Sequence, residues 1–200
     1  MRRRTLTSLI LAVCILVGSS CAAFAQDAPA MAETVAAAQK RTAEYLKNTV
    51  ADPEFGSVGG EWTVFALARA GYGDEAYMDR YYNKLAAYVK SVDGVLSTRK
   101  YTEYARAVLA LSAIDRDVRN VEGYDLLAPL TDFENVTKQG VNGAVFALLA
   151  WDFYGDWVAV DDGEVEAVGR IAYLANIYEQ QHEDGGFGLG EESDPDITAM

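Results

Sequence analysis

The chain has 200 residues, of which 17 are Lys or Arg and 30 are Asp or Glu, giving a formal net charge of −13. So acidic a surface repels phosphate backbones and anionic headgroups, which argues against nucleic-acid binding. Half of the residues are hydrophobic and only 4 are Pro, so the chain reads as globular rather than disordered or fibrous.

The charge is uneven along the chain. Arg2, Arg3 and Arg4 are three of the 17 basic residues, and no acidic residue precedes Asp27. Arg2–Arg4 form a positive segment, Leu6 to Val17 is an apolar run of about a dozen residues, and Ala23-Phe24-Ala25 offers a small-x-small cleavage site. Residues 1–25 therefore read as a signal peptide, and the mature protein is expected to be secreted or held at the cell surface. The apolar run is short for an uncleaved membrane anchor, so no membrane insertion of the mature chain is expected. Lipoprotein attachment would use Cys21, but Gly18 stands where that signal wants Leu, Val or Ile. Both cysteines, Cys14 and Cys21, fall within the signal, so the mature chain is expected to have no disulfide and no thiolate metal site.

Residues 26–32 are small and polar, a short tether. Val35, Ala38, Thr42, Tyr45, Leu46 and Val50 then recur at steps of three and four, which predicts an amphipathic helix. Gly56-Ser57-Val58-Gly59-Gly60 lacks the Gly-Lys-Ser/Thr ending of a phosphate loop and reads as a tight turn. Trp62 to Ala70 is nearly uncharged, as are Tyr104 to Ile114 and Val141 to Trp151. Helices apolar nearly all round are buried helices. Between them Tyr77, Tyr81, Leu85, Tyr88, Val89 and Val92 mark a second amphipathic helix, and Ile171, Leu174, Ile177, Tyr178 and Gln181 a third. Asn135-Val136-Thr137 matches a glycosylation sequon and reads as chance. Asp161-Asp162-Gly163-Glu164 fits either a weak calcium loop or, more simply, a solvated helix start.

The three apolar segments align on one another. Ala66-Leu67, Ala110-Leu111 and Ala147-Leu148 take equivalent places, at offsets of 44 and 37 residues, and the helices are expected to close near Gly71, Asp115 and Asp152. A loose repeat of about 40 residues with two helices per unit predicts a helical array. Buried helices alternating with amphipathic ones favour an array closing into a double ring, and nothing requires a sheet. The fold class is therefore all-α.

Gln181-His182-Glu183-Asp184-Gly185-Gly186-Phe187 follows a helix containing Tyr173-Leu174 and resembles the Q-x-x-x-G-x-W repeat of squalene cyclases, with Phe for Trp. Gly59-Gly60-Glu61-Trp62 after Tyr45-Leu46 resembles a degenerate copy, and Lys90, Gly94 and Leu96 after Tyr88-Val89 a third. The chain over residues 33–200 thus resembles the terpenoid cyclase/prenyltransferase family. That resemblance implies an (α/α) toroid of helical hairpins. About three and a half hairpins are counted where a closed ring needs five or six, so residues 33–200 read as the N-terminal part of a truncated toroid. It also implies structural roles for Gln181, Gly185 and Phe187, the Gln tying a helix end to the next turn and the aromatic packing over it.

Asp194-Pro195-Asp196-Ile197-Thr198-Ala199 resembles the D-x-D-D-T-A motif of class II terpene cyclases. The resemblance would make Asp196 the general acid, with Asp194 beside it. Ile197 stands at the third Asp, which removes part of the cluster that tunes such an acid. The alternative is capping, with Asp194 or Asp196 accepting backbone N–H bonds and Pro195 in the first turn. Prenyltransferases of this fold bind zinc through Asp, Cys and His, and the mature chain has no Cys. His182 is the only histidine, which excludes a multi-histidine metal site and leaves scant room for a Ser-His-Asp arrangement. No metal and no cofactor are expected.

Trp62, Tyr104, Trp151, Phe153 and Trp157 lie in or beside the apolar segments, as core or as the mouth of a ligand cavity. Glu61, Glu103 and Arg106 sit at the starts of those helices. Glu61, Trp62, Glu103, Tyr104, Arg106 and Trp151 are thus candidates for a central funnel. Two functions remain open. One is a non-catalytic module that binds a small molecule, peptide or glycan, or that is structural; the other is a class II terpenoid cyclase using Asp196. Export and the broken acid motif favour the first.

Overall fold

The computed structural model describes residues 31–56, 59–155 and 169–200. Among them every regular element is a helix, apart from an isolated bridge between Val121 and Tyr124, so the protein is all-α. No described helix is long and apolar enough to cross a membrane. The signal read at 1–25 with Cys21, Trp157, and the acidic loop at Asp161–Glu164 lie outside the described residues.

The chain divides into two units at Thr49/Val50. In the first, helix α1 covers 31–49 and is already running at Met31 and Ala32, within the stretch read as a tether. Val35 and Tyr45, on its expected core face, are exposed. Periodicity identifies which face of a helix is apolar, but whether that face is covered depends on tertiary context.

The second unit holds the remaining elements: α2 (Gly60–Arg69), α3 (Glu75–Ser91), α4 (Thr102–Ala113), a 3-10 turn (Ala128–Thr131), α5 (Phe133–Thr137), α6 (Val141–Tyr154), α7 (Arg170–Glu179) and α8 (Pro195–Ala199). Helix α4 packs against both α2 and α6; α3 packs on α2, and α5 and α7 pack on α6. The three Ala-rich segments are therefore neighbours in chain order. Leu67, Ala110, Leu111, Ala147 and Leu148 of the aligned repeat are buried, whereas Ala66 is exposed. Each buried Leu contributes roughly 1.5–3 kcal/mol relative to exposure. Small residues let the backbones approach closely: a Cβ on Gly143 of α6 would lie 1.9 Å from the Val136 carbonyl oxygen of α5.

Helix α3 follows its periodicity. Asp74 caps it by accepting the Tyr77 N–H at 2.9 Å, and Tyr77, Tyr81, Leu85 and Val89 are buried, with Tyr88 left 38% exposed. Its polar edge ties down the preceding segment. Tyr77 Oη donates to the Val50 carbonyl at 2.7 Å, and Lys84 pairs with Asp52 and, at 3.4 Å, with Glu54. Helices α2, α4 and α6 end at Arg69, Ala113 and Tyr154, each within two residues of the expected Gly71, Asp115 and Asp152, and α6 is closed by Gly155 (φ +90°). Asp152 stays helical and exposed, where it forms a bidentate pair with Arg170 at 2.9–3.0 Å.

Helix α7 departs most from its periodicity. Ile171 and Tyr178 of its expected core face are 82% and 71% exposed, and the buried residue is Tyr173. Tyr173 Oη donates to the Leu130 carbonyl at 2.8 Å and its ring packs 5.3 Å from Phe133. The 3-10 turn and α5, absent from the periodicity, supply both partners. That phenol, buried against them, carries a strongly raised pKa, mainly from desolvation and secondarily from Asp132.

Candidate functional site: an aromatic face on α2 and α6

The spacing Trp62, Phe65, Arg69 on α2 and Phe146, Leu149, Phe153 on α6 puts each trio on one helix face, at steps of three and four. The two faces meet. The Trp62 ring lies 5.9 Å from Phe146 and 6.2 Å from Phe65, and Phe65 lies 5.4 Å from Phe153. The Arg69 guanidinium sits 5.2 Å over the Phe153 ring. All three ring pairs are tilted or edge-on, the favoured geometry, each adding about 0.5–1.5 kcal/mol beyond burial. Trp62 and Leu149 nevertheless remain 43% and 44% exposed. The result is a cluster of four linked rings, with Trp62 half-exposed and one cation at its edge. Exposed patches of this kind mark sites of association rather than folding.

Of the six funnel candidates, Trp62 alone lies in this face. Glu61, one residue earlier, points the other way and is only 3% exposed. It accepts the Gly56 N–H at 2.8 Å. It lies near Tyr81 of α3, whose buried hydroxyl makes no hydrogen bond. Burial, then the Glu61 charge, push the Tyr81 pKa well up, and Arg106 pulls it back. Glu61, Tyr81 and Arg106 thus form a polar group between α2, α3 and α4. Tyr104 is 3% exposed and its hydroxyl accepts the Leu96 N–H at 3.0 Å. Trp151 is 3% exposed, in the core. Glu103 is half-buried in the first turn of α4, where a carboxylate suits the helix dipole. Phe65, Arg69, Phe146 and Leu149 were missed because each apolar segment reads as buried all round. The three-and-four spacing of aromatics common to both segments was the available signal.

The C-terminal motif forms a compact turn. Gln181 Nε2 donates to the Gly185 carbonyl at 2.8 Å, and His182 N–H donates to the Gly186 carbonyl at 2.9 Å. Phe187 N–H donates to Thr198 Oγ1 at 2.9 Å. His182 Nδ1 lies 3.1 Å from Ser193 Oγ, which donates to Asp184 at 2.6 Å. The turn therefore does bring a Ser, a His and an Asp together, but with the serine in the middle. A nucleophilic serine gives its proton to a base that a third group orients. Ser193 instead closes the loop between two side chains.

Asp194 Oδ1 accepts the N–H groups of Asp196 and Ile197 at 2.8 and 3.0 Å, as the N-cap of α8 with Pro195 in the first turn. Asp196 is exposed. No group of three or more His, Cys, Asp or Glu among the described residues is placed to hold a metal ion. No family model, curated protein or solved structure matches the chain.

Proposed function

We propose that this chain is an exported, non-catalytic ligand-binding module of (α/α)-toroid type, and that its ligand contacts the aromatic face of α2 and α6. The observation that carries this reading is Trp62, 43% exposed yet fixed in place by Phe65 and Phe146. A rigid, half-exposed indole offers a large contact area at little entropic cost on binding. Support for the toroid comes from α2, α4 and α6 packing side by side in chain order, with amphipathic α3 on α2 and α7 on α6. Support for a non-catalytic role comes from the C-terminal carboxylates. A proton-donating acid needs a dry pocket that keeps it protonated, whereas Asp194 is spent on capping and Asp196 faces water.

The test is a thermal-shift and tryptophan-fluorescence titration with a corrinoid, a mixed peptide pool and a glycan array. One class should raise the melting temperature of the wild-type chain and shift its emission. Trp62→Ala should weaken that ligand by about tenfold or more, the loss typical of a central aromatic contact. The proposal fails if all three classes leave both signals unchanged, or if Trp62→Ala binds as well as wild type.

A further inference from the structure

The aromatic face ends in a charge that no described side chain answers. Trp62, Phe65 and Arg69 share one side of α2, with Trp62 and Arg69 two turns apart, roughly 10 Å along the axis. The rings run in a row from Phe146 to Trp62, Phe65 and Phe153, and the Arg69 guanidinium lies over Phe153 at the far end. Trp62 and Arg69 are exposed and the three Phe residues half-buried, so every member of the row keeps some surface. Arg116, Arg119 and Arg170 each pair with an aspartate. Among the described residues Arg69 forms no hydrogen bond and no ion pair. Asp152, next to Phe153 in sequence, is engaged by Arg170 in a bidentate pair. A guanidinium resting on a ring keeps its in-plane N–H donors for an oxyanion, and a carboxylate matches their fork. In a chain of net charge −13, a cation left unpaired at the end of a row of rings complements an apolar ligand that carries negative charge.

We infer that the ligand of the aromatic face is a flat, apolar carboxylic acid. Its body lies on the rings at Trp62 and its carboxylate meets the Arg69 guanidinium. This rests on the reading above that the face of α2 and α6 is the ligand site, and it adds the charge that the ligand must carry.

The probes are naphthalene-2-carboxylate and its uncharged amide, which share one body and differ in charge. Binding to the full chain is followed by NMR titration of each probe in low salt. The carboxylate should bind about threefold to fivefold more tightly than the amide, the scale of one solvent-exposed ion pair. High salt should shrink that preference. Arg69→Gln should remove it and leave the affinity for the amide unchanged. Arg69 is exposed, so this variant should keep the wild-type melting temperature. Trp62→Ala should weaken both probes. The inference is overturned if wild type binds the two probes equally or prefers the amide, or if the preference for the carboxylate survives in Arg69→Gln. In each of those cases the aromatic face still stands as the ligand site if Trp62→Ala weakens the amide. If neither probe binds, or if Trp62→Ala binds both as tightly as wild type, the ligand site on this face falls and the inference falls with it.

Discussion

Two turns of this molecule do the same job by different means. One leads from α3 into α4 through Gly94 and Leu96; the other leads from α7 into α8 through Gly185 and Phe187. In both a left-handed glycine stands two residues before an apolar side chain, with φ +78° at Gly94 and +85° at Gly185. In both that apolar residue's N–H donates to a side-chain hydroxyl of the next helix, at 3.0 Å to Tyr104 and 2.9 Å to Thr198. The first turn is packed at its centre, with Leu96 only 5% exposed and the Tyr124 ring pressed on Gly94, while Asp93 and Val95 face water. The second is largely exposed and is held by Gln181, Asp184, Ser193 and the Asp194 cap. Lys90, four residues before Gly94 as Gln181 is before Gly185, reaches out to Glu122 at 3.3 Å, whereas Gln181 ties back to the Gly185 carbonyl at 2.8 Å.

Exchanging the glycines should separate the two turns most widely. A Cβ at Gly94 would lie 2.4 Å from Tyr124 Cδ1, whereas nothing lies within 4 Å of one at Gly185. Gly94→Ala adds overpacking to the cost of a left-handed Ala and should destabilise by about 2–4 kcal/mol. Gly185→Ala meets only the backbone cost, about 1–2 kcal/mol. Urea denaturation of both variants measures the gap. Equal losses would mean that Tyr124 yields freely and that the first turn is not held by packing.

Removing the two hydroxyls sharpens the same contrast on a smaller scale. Tyr104→Phe strands the buried Leu96 N–H, which costs about 1–3 kcal/mol. Thr198→Val leaves the exposed Phe187 N–H to water and should cost under about 1 kcal/mol. Thermal melts of the two variants decide it. A Thr198→Val variant as damaged as Tyr104→Phe would show that the exposed turn has no access to solvent.

The same distinction explains what could be read from the letters. The burial of Leu67, Ala110, Leu111, Ala147 and Leu148 follows from composition, because a segment with almost no polar residue is mostly buried; which of its residues stay exposed, as Trp62, Ala66 and Leu149 do, does not. The burial of helix α7 is not legible in its periodicity because it is set by Tyr173 reaching Leu130 and Phe133, partners 43 and 40 positions away whose helical turns are too short for periodicity to register. The Asp194 cap followed from local chemistry, and the structure has it in that place. Tyr104 and Trp151 are legible as either core or the mouth of a cavity, and they lie in the core. Their position along a helix was legible, but the direction in which each points depends on which neighbours pack there.

Acid should act on one turn and spare the other. Asp184 has its pKa lowered, first by the Ser193 hydroxyl and then by the Gly186 N–H, with the nearby His182 adding to both and burial opposing them. A carboxylate with a depressed folded-state pKa contributes stability that is present above its ordinary value of about 3.9 and is lost as pH falls through the lower folded value. The exposed turn should therefore loosen only below about pH 4. Leu96 N–H is held by a hydroxyl with no carboxylate in the bond. In an NMR titration from pH 6 to 2 the Gly186 amide should shift with a midpoint below that of an ordinary aspartate, while the Leu96 amide stays put. Asp184→Asn should abolish the Gly186 titration and leave Leu96 untouched. A Gly186 midpoint at or above the ordinary value would show that the Ser193 and Gly186 bonds to Asp184 do not persist in solution. The exposed turn would then owe its shape to Gln181 and the Asp194 cap, and the contrast with the packed turn would rest on fewer polar contacts.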